Sequence, residues 1–188
     1  MQQPSDKSVS SRLKAFADSD RIAAAKPTAT DADADYSMIC RQLEGLIDGE
    51  KDRVANLANC SALLWQELTG INWVGFYLIK RKKLVLGPFQ GKPACSRIEI
   101  GQGVCGTAAA ISKTVIVADV HQFPGHIACD LMSKSEIVVP MLKDGQLIGV
   151  LDIDSPVVDR FDHRDQQGLE ELLQVLIPLQ CNIRLQLM

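Results

Sequence analysis

The chain has 188 residues, 46% hydrophobic and 23% charged, with a formal net charge of -3. This suits one globular domain plus a tail, and the lack of a basic excess argues against a nucleic-acid partner. No apolar run approaches the roughly 18–20 residues that span a bilayer, and Asp6, Asp18 and Asp20 among Arg12, Lys14 and Arg21 argue against a leader segment, so a cytoplasmic protein with no membrane partner is expected.

Residues 1–34 are rich in Ser, Asp, Ala, Lys and Pro without sustained apolar periodicity, and read as a disordered extension with a transient helix near residues 10–25. Residues 35–188 read as the domain. Ile39, Leu43, Leu46, Ile47, Val54, Leu57, Leu64 and Leu68 recur at helical spacing; Gly45 and Gly49 are expected to divide them into two helices, and Gly70 to end the second. Residues 73–79 read as a strand, Arg81-Lys82-Lys83 as a solvated turn, and 84–86 as the hairpin partner. Residues 98–100 and 114–117 are further short strands. Between them, 103–110 read as a loop feeding an Ala-rich helix, and 119–135 form a long polar connection of the kind that carries function. A second hairpin joins 137–142 to 147–153 across Asp144-Gly145, with Pro140 pointing to an edge or a bulge. Asp162 and Asp165 cap a last helix with a stripe of Leu169, Leu172, Leu173 and Leu176, which completes an α+β layer fold.

Six cysteines in a cytosolic chain are not a disulfide framework, and no C-x-x-C pair is present. Cys40, Cys60 and Cys181 fall on expected helices among apolar neighbours and read as inert. Cys95, Cys105 and Cys129 fall in polar or glycine-rich loops, where function and simple burial are equally good readings. Cys105 precedes the Ala-rich helix, where aligned peptide dipoles would lower its pKa. His121, His126, Cys129 and Cys105 include zinc ligands, but their spacing matches no standard zinc pattern, so no metal or cofactor is expected.

Asp152 and Asp154 lie two apart on a strand and share a face, and Glu136 begins the neighbouring strand. Together they can line an acidic pocket that binds an ammonium group or holds a proton, or they can face solvent. Trp73 and Tyr77, four apart, also share a face and read either as an aromatic wall or as ordinary core.

The strings NWVGFYL, LVLGPFQGKPAC, GQGVCGTA, DVHQFPGHIACD, SEIVVP and GVLDIDS, in this order, closely resemble the free methionine-R-sulfoxide reductases, which are built on a GAF domain. The resemblance spans about residues 36–178 and omits the tail. It implies a six-stranded antiparallel sheet with the N- and C-terminal helices on one face, a homodimer, and recycling by thioredoxin. It implies reduction of free L-methionine (R)-S-oxide by cysteine sulfenic acid and disulfide chemistry. Cys129 corresponds to the attacking cysteine, and Cys95 and Cys105 to its disulfide partners. Trp73, Tyr77, Glu136, Asp152 and Asp154 correspond to the substrate pocket. The alternative is a non-catalytic GAF module that senses a small ligand or redox state, although such a module has no need of three loop cysteines.

Overall fold

The computed structural model describes residues 34–125 and 131–177. The expected N-terminal extension up to residue 33 lies outside the described residues, as do His126, Cys129 and Cys181.

Two helices open the domain, α1 (Tyr36–Ile47) and α2 (Arg53–Glu67), each started by an aspartate. Asp35 and Asp52 accept the backbone N–H groups of Met38 and Ala55, satisfying donors that a helix start leaves unpaired. The break falls at Gly49, whose φ is 74°, while Gly45 sits inside α1 and does not interrupt it. A single exposed glycine costs a helix about 1 kcal/mol, which the buried stripe of Ile39, Leu43 and Ile47 outweighs.

The strands follow as β1 (Trp73–Lys80), β2 (Lys83–Gly91) and β3 (Arg97–Glu99), then a short helix α3 (Gly103–Ile111) and β4 (Val115–Val117). After a 3-10 turn at Val120–Gln122 come β5 (Ser135–Lys143), β6 (Gln146–Ser155) and the last helix α4 (His163–Leu176). The sheet order is β3-β2-β1-β6-β5-β4, and every neighbouring pair is antiparallel. Pro140 does not mark an edge strand, because β5 has neighbours on both sides. Yet β4 pairs only with residues 136–138, so Pro140 stands where β6 alone adjoins β5, and the register shifts at Met141/Leu142.

Alternation along the three central strands separates two cores. Val74, Phe76, Leu78, Ile137, Val139, Met141, Leu151 and Ile153 pack with α1, α2 and α4. Trp73, Tyr77, Val138 and Val150 point the other way and pack with Val104, Cys105, Ala108 and Ala109 of α3. The terminal helices thus share one face, and α3 covers part of the opposite one. The Asp162–Asp165 capping box starts α4 as expected. Asp165 also accepts from Tyr36 Oη at 2.7 Å and Arg160 Nη1 at 3.1 Å, which ties α4 to α1.

The contact between α1 and α4 depends on Gly168, where an added Cβ would lie 2.0 Å from the Tyr36 ring. Gly168→Ala is therefore expected to lower unfolding stability by about 1–3 kcal/mol. Gly45→Ala, where nothing lies within 4 Å, should raise it by about 0.5–1 kcal/mol. Urea unfolding of the two variants checks both signs.

Candidate active site

Strand register assembles the pocket. Trp73 stands opposite Asp154, which stands opposite Glu136 on β5. One row along, Gly75 faces Asp152, which faces Val138. Three carboxyl groups from two strands, with Trp73 and Tyr77 of β1, therefore share the face turned away from the large helices. The Trp73 ring folds back over Gly75; a Cβ there would lie 2.3 Å from Phe89 Cβ and 2.7 Å from Trp73 Cη2. Trp73 stacks on Tyr77 at a centroid distance of 5.9 Å and on Phe89 at 5.4 Å. Its indole N–H donates to the Lys92 carbonyl at 3.0 Å, anchoring the loop that leads to Cys95.

The N-terminus of α3 closes another side. Gln102 is its N-cap residue and supplies no side-chain cap, and Gln102, Gly103, Val104 and Cys105 at this helix start all line the pocket. Cys105 is not in a loop ahead of this helix: α3 begins at Gly103 and Cys105 lies in its first turn. Its side chain is buried, and Sγ is 4.0 Å from Glu136 Oε1. The expected lowering of its pKa is reversed. Burial pushes the thiol well above its ordinary value, and the charges of Asp152 and Glu136 add to the rise. Desolvation and adjacent anions outweigh the peptide dipoles.

The resulting cleft holds about 540 Å³ of space between its walls when its open mouth is included. Trp73, Tyr77, Cys105, Glu136, Asp152 and Asp154 all line it. Lys92, Gln102 and Ser133 line it too and were not singled out from sequence. Ser133 ends the long polar connection that did stand out, and Gln102 lies in the glycine-rich segment before Cys105. Phe89, the second support of Trp73, carried no sequence signal of its own.

Cys95 is half-buried and packs against the same apolar cluster as Cys105. Cys40 and Cys60 belong to the opposite core. Burial raises both of their thiols, as suits inert side chains. His121 is exposed on the 3-10 turn and takes no part in the pocket lining.

Residues 30–177 match the GAF domain family model. The chain is 55% identical over 141 residues to the free methionine-R-sulfoxide reductase of Escherichia coli, an alignment covering 75% of this chain and 86% of that one. It also matches the structure of fRMsr of Staphylococcus aureus in complex with substrate. That pair is 52% identical with a TM-score of 0.77, and the match covers 81% of this chain and 99% of the other. The free methionine-R-sulfoxide reductase from Neisseria meningitidis, also solved with its substrate, has a TM-score of 0.77 at 46% identity, over 83% of this chain and 95% of that one. This chain belongs to the free methionine-R-sulfoxide reductases of the GAF-domain family.

In this member of the family the acids of the pocket are set apart by burial. Glu136 is held well above the usual carboxylate range, first by burial and then by the charges of Asp152 and Asp154. Burial also pushes Asp152 up to about 6, while its hydrogen bonds to Cys105 and Glu136 oppose the rise. Asp152 Oδ1 is nevertheless buried without a hydrogen-bond partner. A buried anionic oxygen in that state asks for a cationic or protonated visitor.

These raised values set the sign of a pH effect. The unfolded chain loses both carboxyl protons near pH 4, while the folded protein keeps Asp152 protonated to about 6 and holds the Glu136 proton well above the usual carboxylate range. The folded state then binds more protons, so stability falls as pH rises from about 4 through 6 and further as Glu136 ionises. Glu136→Gln should flatten that fall. Urea unfolding at pH 5 and pH 8 tests it: an equal loss in wild type and variant would refute the assignment.

Proposed function

We propose that this chain reduces the R epimer of free methionine sulfoxide. The observation that carries the reading is a pair of buried acids, Glu136 and Asp152, beside the half-buried Asp154, with an unpartnered oxygen on Asp152, set between an aromatic wall and a thiol. A free amino acid brings the matching groups. Its α-ammonium pairs with Asp152 and Asp154, its α-carboxylate lies at the uncapped N-terminus of α3, and its methyl end packs on Trp73 and Tyr77. A methionine sulfoxide within a peptide lacks both charged termini and would leave the buried Asp152 oxygen unsatisfied, which disfavours it.

Cys129 is assigned the first attack by its motif. Its thiolate bonds to the sulfoxide sulfur as the oxygen takes up one proton; the hydroxyl then passes to the cysteine sulfur while the sulfur–sulfur bond and the methionine sulfur–oxygen bond break, giving methionine and a sulfenic acid on Cys129. Glu136, whose carboxyl keeps its proton, is the donor. A second thiol, on Cys105 or Cys95, then condenses with the sulfenic acid to a disulfide and water. Two thiols are thereby oxidised as one sulfoxide is reduced, and thioredoxin's dithiol restores them. The raised pKa of Cys105 disfavours it as the first nucleophile, and as a resolving thiol it gives up its proton when it attacks the sulfenic sulfur and water leaves.

The same reading takes residues 35–188 as the catalytic domain. The protein is a cytoplasmic homodimer joined through the terminal helices. Met38 and Leu46, exposed on the outer surface of α1, supply apolar area for that contact. Among the described residues no helix is long and apolar enough to cross a membrane.

Turnover with thioredoxin, its reductase and NADPH tests the proposal. Free methionine-R-sulfoxide should be consumed, the S epimer and an N-acetylated peptide form should not, and Cys129→Ser should abolish the reaction. Glu136→Gln should lower kcat about 10²–10⁴-fold. Full activity in Cys129→Ser, or ligand binding without turnover in the parent protein, would reject the mechanism in favour of a sensing module.

A further inference from the structure

We propose that Cys105, Glu136 and Asp152 also form a binding site for a borderline-soft divalent cation, Zn2+ above all, which enters the pocket in competition with a ligand's ammonium group. Among the described residues these three side chains each offer one ligand atom within 4.8 Å of the other two. Cys105 Sγ and Glu136 Oε1 stand 4.0 Å apart. Zinc bonds of about 2.3 Å to sulfur and about 2.0–2.2 Å to oxygen place tetrahedral ligand atoms roughly 3.5 Å apart. Each side chain therefore has to move inward by well under about 1 Å.

Three ligands set close together are not by themselves a site. The second observation is Asp152 Oδ1. The residue is only 6% exposed and lines the pocket, and that oxygen has no hydrogen-bond partner. A coordinated cation satisfies it as fully as an ammonium group does. The donor set also selects the ion. One thiolate and two carboxylates suit zinc, whereas Mg2+ and Ca2+ prefer oxygen alone. Three protein ligands leave a fourth position, and the pocket lies open on that side for water or a ligand's carboxylate.

Binding replaces the Cys105 thiol proton and the Glu136 carboxyl proton, both of which go to solvent, with bonds to the metal, and no electrons move. The ion therefore takes the reduced protein. Once Cys105 is in a disulfide, its sulfur is no longer a thiolate ligand, and the site is lost. The location of the ion rests on geometry alone; its effect as an inhibitor rests on the reductase reading.

Cobalt titration gives a readout independent of activity. In the reduced Cys95→Ser/Cys129→Ser protein, where Cys105 remains, Co2+ should produce a sulfur-to-metal charge-transfer band at one equivalent. Zn2+ should displace that band, free L-methionine should weaken it by competition, and Mg2+ should leave it unchanged. Cys105→Ser should abolish it, and Asp152→Asn should weaken binding at least about tenfold, with circular dichroism confirming that each variant is folded. No band in the double variant, a band that survives Cys105→Ser, or indifference to methionine would overturn the site. An intact band without turnover of methionine-R-sulfoxide would sink the reductase reading and leave the site standing. Turnover unaffected by Zn2+, with no band, would sink the site alone.

Discussion

Three carboxyl groups forced onto one water-poor face of β5 and β6 are the constraint around which the rest of the molecule is arranged. Glu136 and Asp154 stand directly opposite each other across the strand pair, where like charges are unfavourable. Asp152 joins them one row away. The fold tolerates this because stability comes from the other side of the same strands. Val74, Phe76, Ile137, Val139, Leu151 and Ile153 alternate with the pocket residues and are buried under α1, α2 and α4. One face of the sheet holds the protein together and frees the opposite face to carry polar groups that destabilise it. Proton retention by Glu136 and Asp152 is the compromise that burial imposes on the acids.

The same compromise sorts the thiols. Cys105 shares a small, shielded volume with the acids, and its proton is held for the same electrostatic reason as theirs. A thiol held neutral in this way is a poor first nucleophile. It becomes a ligand when a cation neutralises the neighbouring charge. Acid triad, thiol and orphan oxygen thus form one electrostatic unit, and what occupies it depends on which positive group arrives.

The aromatic wall shows how packing positions the site. The Trp73 ring reaches its position over Gly75 because no side chain stands there, and it stacks on Phe89. With the ring in that position the indole N–H reaches Lys92, and the loop to Cys95 is tethered at the pocket rim. A glycine between two aromatic residues on a strand is a weak signal alone, because its meaning depends on β2 delivering Phe89 to the same spot.

Much of this was legible from residue order. Period-two alternation placed Trp73 with Tyr77 and Asp152 with Asp154, because strand geometry puts alternate side chains on one face whatever the tertiary context. Aspartates at helix starts, the Asp144-Gly145 turn and the leucine stripe of α4 were equally local. The family motifs named the cysteines and the pocket residues. What lay beyond reach depended on distance through space. Gly45 does not break α1, since burial of one helix face outweighs a propensity. Pro140 sits on an inner strand, since only the length of β4 decides where that strand has a neighbour. The pKa of Cys105 changed sign, because a helix dipole is a property of the local chain whereas desolvation and the charges of Glu136 and Asp152 arrive from β5 and β6. The sequence by itself determined which groups the site contains; the tertiary structure decided how close they stand and how little water they share, and those two quantities set their charge.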